Sequence, residues 1–130
     1  MIVVDSNILL YLLIEGDRTG AVVRLQEREP VWVAPRLWLD EFLNVLCTYE
    51  RLGRTTAAEN LRRVELAGEV VARSYFVPPA RTLALARRTG CSGYDSQFLA
   101  LAEDLGVYLY TFDEKVLTSA PDLARCPPAA

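Results

Sequence analysis

Histidine is absent from all 130 residues. That gap removes Ser-His-Asp and Cys-His nucleophilic machinery, paired-histidine acid–base chemistry and every metal site that needs imidazole. Cysteine is scarce: Cys47, Cys91 and Cys126 lie far apart and form no CxxC pair. Neither a zinc cluster nor a disulfide framework is expected, and the cytoplasm is the expected compartment. Long hydrophobic runs are missing as well. Neither apolar stretch near the start reaches the roughly 20 residues that span a bilayer, and Asp5 interrupts the first with no basic segment before it, so no signal peptide or membrane association is expected. Positive charge is not in excess either. A formal net charge of −3 argues against a broad basic face for nucleic acid and leaves room only for a local patch. If the chain is an enzyme, carboxylates must do most of the work.

What is present is a balance of 52% hydrophobic and 24% charged residues, which belongs to ordinary globular proteins, and a length that suits one domain over 1–130. Ile2 to Val4 reads as a buried strand and Ile8 to Ile14 as a buried helix, followed by a loop framed by Gly16 and Gly20. Residues 21–29 read as helix and VWVA at 31–34 as a second strand. Pro35 suits an early position of a long helix ending near Leu52. Thr56 with Glu59 forms a capping-box pattern for the next helix, with Gly68 as its stop. EVVARSYFV is strand-like. Pro78 and Pro79 start a helix ending near Gly90, Ser92 starts another through Leu105, and Gly106 leads into the strand VYLYT. A short helix follows Asp113, and the tail after Pro121 is an edge or a loose end. Strands alternating with helices predict an α/β domain with a mainly parallel sheet covered on both faces, whose sites form beyond the carboxyl ends of the strands.

Four acidic residues then stand out. Asp5 directly follows the first strand and Asp113 the last; the plain reading of each is a helix N-cap. Glu41 has Leu37, Trp38, Asn44 and Val45 three and four positions away, a substantially apolar setting that a solvated glutamate would rarely choose. Asp40 instead shares a stripe with Arg36 and Asn44 and reads as surface. Asp95 heads the stripe Phe98, Leu99, Ala102 and Leu105; its plain reading is the third residue of a Ser92 capping box. Two inward-facing acids on helices and two at strand ends would gather four negative charges in one crevice, which is very costly without a counter-cation. All-oxygen sites suit Mg²⁺ or Mn²⁺ rather than zinc. A metal held this way can activate water against a phosphodiester, so metal-dependent phosphodiester hydrolysis is the leading expectation.

VVDSN, PRLWLDEFLNVL, GYDSQFLALAEDLGV and YTFDEKVL resemble, in order and approximate spacing, the acidic motifs of the PIN domain family of metal-dependent ribonucleases. The resemblance covers nearly the whole chain and implies a three-layer α/β/α sandwich. It further implies Asp5, Glu41, Asp95 and Asp113 as metal-binding and catalytic acids, with Asn7, Asn44 and Thr111 supporting them. Compact members of this length resemble VapC-type toxins of toxin–antitoxin modules, which implies an RNA substrate, a cognate antitoxin and a homodimer. Two rivals are a PIN-fold nuclease acting on structured DNA and a binding module without turnover. Trp32, Trp38, Phe42 and Tyr49 are candidates for partner surfaces, with core packing the commoner role for such residues. Arg51, Arg54, Arg62, Arg63, Arg87 and Arg88 are candidates for phosphate contacts, with a solvated helix face the commoner role.

Overall fold

The first apolar run forms β1 (Ile2–Val4), and after Asp5 the second forms α1 (Ser6–Leu13). β1 is wholly buried, and α1 buries Ser6 and Ile8 to Leu10, because β-branched and leucine side chains are driven from water. The computed structural model describes residues 1–129. In chain order the remaining elements are α2 (Thr19–Arg28), β2 (Trp32–Pro35), α3 (Leu37–Arg51), α4 (Ala57–Val70) and β3 (Val71–Tyr75). Then come α5 (Pro79–Thr89), α6 (Gly93–Leu105), β4 (Leu109–Tyr110), α7 (Glu114–Ser119) and β5 (Ala124–Arg125).

The five strands form one sheet in the order β3-β2-β1-β4-β5, and every neighbouring pair is parallel. Helices complete a three-layer α/β/α sandwich: α1 packs against α2, α3 and α4, while α6 packs on α5, β1, β2 and β4. Strand order reverses at β1, with β2 on one side and β4 on the other. A crevice therefore opens beyond the carboxyl ends of β1 and β4. The tail strand β5 lies at the sheet edge beside β4.

Several boundaries differ from the sequence reading for identifiable reasons. Pro35 closes β2 opposite Tyr75 instead of opening a helix; the ladder continues through the Arg36 N–H, which donates to the Tyr75 carbonyl at 2.9 Å. Gly20 lies inside α2, which starts two residues before the expected position. Gly68 does not stop α4. Its backbone is ordinary helix, and the helix ends only where β-branched Val71 takes up extended backbone at the start of β3. Gly90 and Gly106 do terminate α5 and α6, with φ of 75° and 68° that any Cβ would strain. The Thr56–Glu59 capping box forms in both directions.

The core explains most of the aromatics. Trp32 and Phe42 are wholly buried and Trp38 nearly so. The Trp38 indole N–H donates to Ser74 Oγ at 2.8 Å and that of Trp32 to the Glu29 carbonyl at 2.6 Å, so each ring's polar handle is satisfied inside the fold. Tyr49 is half-buried, with the Arg54 guanidinium 5.7 Å from its ring centre. Among the other arginines, Arg62 pairs with Glu65 and Arg88 with Glu103, as expected of solvated helix faces, whereas Arg63 is largely covered, donating to the Leu13 carbonyl at 3.5 Å and Asn60 Oδ1 at 3.1 Å with Glu59 at 3.9 Å.

Candidate active site

Asp5 sits where β1 ends. It is the N-cap of α1, with Oδ1 accepting from the Ile8 N–H at 3.0 Å, while Oδ2 accepts from the Thr111 hydroxyl. Burial pushes its carboxyl up to about 6; these hydrogen bonds oppose the rise and the nearby charge of Glu41 adds to it.

Glu41 lies in the second turn of α3 and crosses to α1: the buried Ser6 hydroxyl donates to Glu41 Oε1 at 2.8 Å. Burial raises its carboxyl above the ordinary value, Ser6 works against that rise, and the charge of Asp95 reinforces it. Asp95 occupies the first turn of α6, where Ser92 caps the helix by accepting from the Asp95 N–H at 3.0 Å. Burial again raises its carboxyl, helped by Asp113 and opposed by Ser92 and by Lys115. Asp113 is the exposed member of the four. It caps α7, with Oδ1 accepting from the N–H groups of Lys115 at 2.9 Å and Val116 at 3.3 Å. For both aspartates the N-cap reading is true, and both also line the crevice.

That crevice has a volume of about 90 Å³, the scale of an ion with a few waters. Its walls are Asp5, Glu41, Asp95 and Asp113, with Ser6, Asn7 and Thr111, over an apolar floor that includes Val45, Phe98 and Leu109. No arginine or lysine lines it. Each acid feels the next, Asp5 to Glu41, Glu41 to Asp95 and Asp95 to Asp113. As the side chains stand, no three acids, cysteines or histidines among the described residues are grouped tightly enough to hold a metal ion. Three of these carboxylates spend at least one oxygen on hydrogen bonds within the fold.

Of the three supporting residues, Thr111 is buried and joins two acids, because its hydroxyl donates to Asp5 and accepts from the Asp113 N–H at 3.0 Å. Asn7 is exposed on the crevice wall. Asn44 lies outside the crevice, in an adjoining depression that Glu41 also lines. Asp40 is exposed, as expected, but Arg36 does not pair with it; that guanidinium lies 6.0 Å from the Phe76 ring centre. Ser6 was not singled out from the sequence. The available signal was a small hydroxyl residue opening an otherwise almost wholly apolar helix.

The fold and the crevice together define a parallel α/β protein with four carboxylates lining a crevice at the switch point of its sheet. Residues 2–121 match the PIN domain family, and the chain belongs to it. PIN domains are generally nucleases that use divalent metal ions. Among solved structures, the chain is similar to the protein PAE2754 from Pyrobaculum aerophilum, with 24% identity, TM-score 0.74, and coverage of 95% of this chain and 88% of that one. It is also similar to a chain of a toxin–antitoxin complex from Klebsiella pneumoniae, with 19% identity, TM-score 0.71 and full coverage of both chains. No curated protein matches in sequence. No helix among the described residues is long and apolar enough to cross a membrane.

Proposed function

We propose that this protein is a Mg²⁺- or Mn²⁺-dependent ribonuclease, cutting RNA endonucleolytically in the cytoplasm as the toxin of a type II toxin–antitoxin module. The observation that carries the reading is a crevice walled by four carboxylates with no cationic side chain among its lining residues. The donor set is all oxygen, which fits a hard divalent ion and excludes a thiolate or imidazole site. Asp5, Glu41, Asp95 and Asp113 hold the ion in this reading.

When bound, a divalent cation lowers the pKa of a coordinated water and neutralises charge on the phosphoryl group. The protein's own residues prepare that chemistry. Thr111 ties the Asp5 carboxylate to the backbone of Asp113, linking the ends of β1 and β4. Ser6 fixes Oε1 of Glu41 and so sets the orientation of that carboxylate. Burial raises the Asp5 carboxyl to about 6, so a cation held there would compete with a proton for it near that pH.

An antitoxin partner and a homodimer belong to the same proposal. The antitoxin is supported by the PIN fold's occurrence in a toxin–antitoxin complex. Incubation of the purified protein with single-stranded RNA and with flapped DNA, each with Mn²⁺ or with EDTA, tests the activity. Cleavage of the RNA alone, abolished by EDTA, is expected; metal-independent cleavage, or preference for the flap, contradicts it. A small upstream open reading frame encoding a DNA-binding protein that blocks cleavage is expected for the toxin role.

A further inference from the structure

Glu41 lines two hollows. Beside the acidic crevice lies a depression of about 480 Å³, formed by Leu37, Asp40, Glu41, Asn44 and Tyr94. It is roughly five times the size of the crevice and too large for an ion alone. Tyr94 is 63% exposed. Among the described residues its ring stacks on no aromatic or guanidinium and its hydroxyl makes no hydrogen bond. It immediately precedes Asp95 in α6, so its ring is anchored one residue from the crevice wall. The Asn44 side-chain amide is also unengaged; only its backbone carbonyl accepts, from Thr48.

Charge decides what fits there. The depression holds two carboxylates, Asp40 and Glu41, and no cation, so it repels a phosphate. A flat, neutral group bearing N–H donors suits it: a face for the tyrosine ring and donors for Asp40 and the Asn44 amide. The geometry points to a subsite for one unstacked nucleobase of the strand whose phosphate lies in the crevice. Tyr94 provides the stacking platform, and Asn44 and Asp40 meet the base edge, favouring the amino-bearing bases adenine, cytosine and guanine over uracil. The inference rests on the nuclease reading and adds to it how the flanking base is held.

Titration of a fluorescein-labelled random-sequence RNA dodecamer by anisotropy, with Ca²⁺ present, compares the wild type with Tyr94→Phe and Tyr94→Ala. Size-exclusion chromatography accompanies it. Tyr94→Ala should bind about tenfold more weakly, within the range of one base–aromatic stack, and Tyr94→Phe should restore affinity. Asn44→Leu should reduce a wild-type preference for oligo(A) over oligo(U). Equal RNA affinity of Tyr94→Ala and a wild type that still cleaves RNA would overturn the subsite and leave the nuclease reading standing. A Tyr94→Ala protein that separates into smaller species with unchanged RNA affinity would also overturn it, marking the face as a self-association contact. A wild type that neither binds nor cleaves RNA overturns the subsite and the nuclease reading together.

Discussion

Helix α6 carries acids at both of its ends and sets them in opposite surroundings. At its C-terminal end Glu103 accepts from Arg88 at 2.5 Å and from Arg81 at 2.7 Å, and Arg81 also reaches Asp104 at 2.8 Å, lacing α5 to α6. Those arginines, Arg88 foremost, hold the Glu103 carboxyl below its ordinary value. At the N-terminal end Asp95 is half-buried among other acids, with burial and then Asp113 raising its carboxyl. The same helix thus gives one acidic pair paired arginines from within the chain and leaves the other acid unpaired, with only the weaker pull of Lys115 against burial and Asp113. Ion pairs at the solvated end explain themselves; in the proposed reading the acids at the other end take their counter-charge from a divalent cation.

Neutralising each end in turn separates the two roles most sharply. Asp95→Asn, or Asp5→Asn, should lower metal-dependent RNA cleavage by about a thousandfold or more, with the metal-free fold as stable as before or more so. Wild-type cleavage rates in both variants would break the comparison. The next effect is on pH. The Asp5 carboxyl is raised to about 6 in the fold, so the stability it contributes is fully present below its unfolded pKa and is lost as pH rises through 6. For metal-free protein this contribution is on the order of 2–3 kcal/mol, and urea unfolding across pH 4–7 should show it disappear in Asp5→Asn. Glu103 should show the opposite sign: its stabilising contribution is present above the unfolded glutamate pKa and is lost as pH falls through its lowered folded value. Smaller again, Ser6→Ala should weaken Mn²⁺ binding by about tenfold in calorimetry, with Ser6→Thr restoring most of it, because the hydroxyl orients Glu41. Least of all, Glu103→Gln should shift the melting temperature by a few °C at most and leave cleavage unchanged.

Much of this contrast was legible in the sequence, and for reasons that can be named. Glu41 and Asp95 betray themselves because a carboxylate at helical spacing among leucine, valine and phenylalanine has no solvated face to occupy. Asp5 and Asp113 were ambiguous, since the residue ending a strand and opening a helix serves both as a cap and as a wall of the crevice; the structure assigns them both positions. The alternation of strands and helices located the sheet. Boundaries were harder where glycine and proline were read as punctuation. At Gly68 and Pro35, packing and strand pairing override the local signal. The partners of Ser6 and Arg81 could not be read, because the Ser6–Glu41 and Arg81–Glu103 bonds each join residues far apart in the chain whose proximity exists only once the helices pack.

In the proposed reading, residues 5, 41, 95 and 113 jointly hold one kind of hard divalent ion. A crystal soaked in Mn²⁺ and measured for anomalous scattering tests it directly. A peak in the crevice with oxygens of these carboxylates around it is the predicted result. Density for manganese elsewhere on the molecule, with the crevice empty at a concentration that supports cleavage, would contradict it.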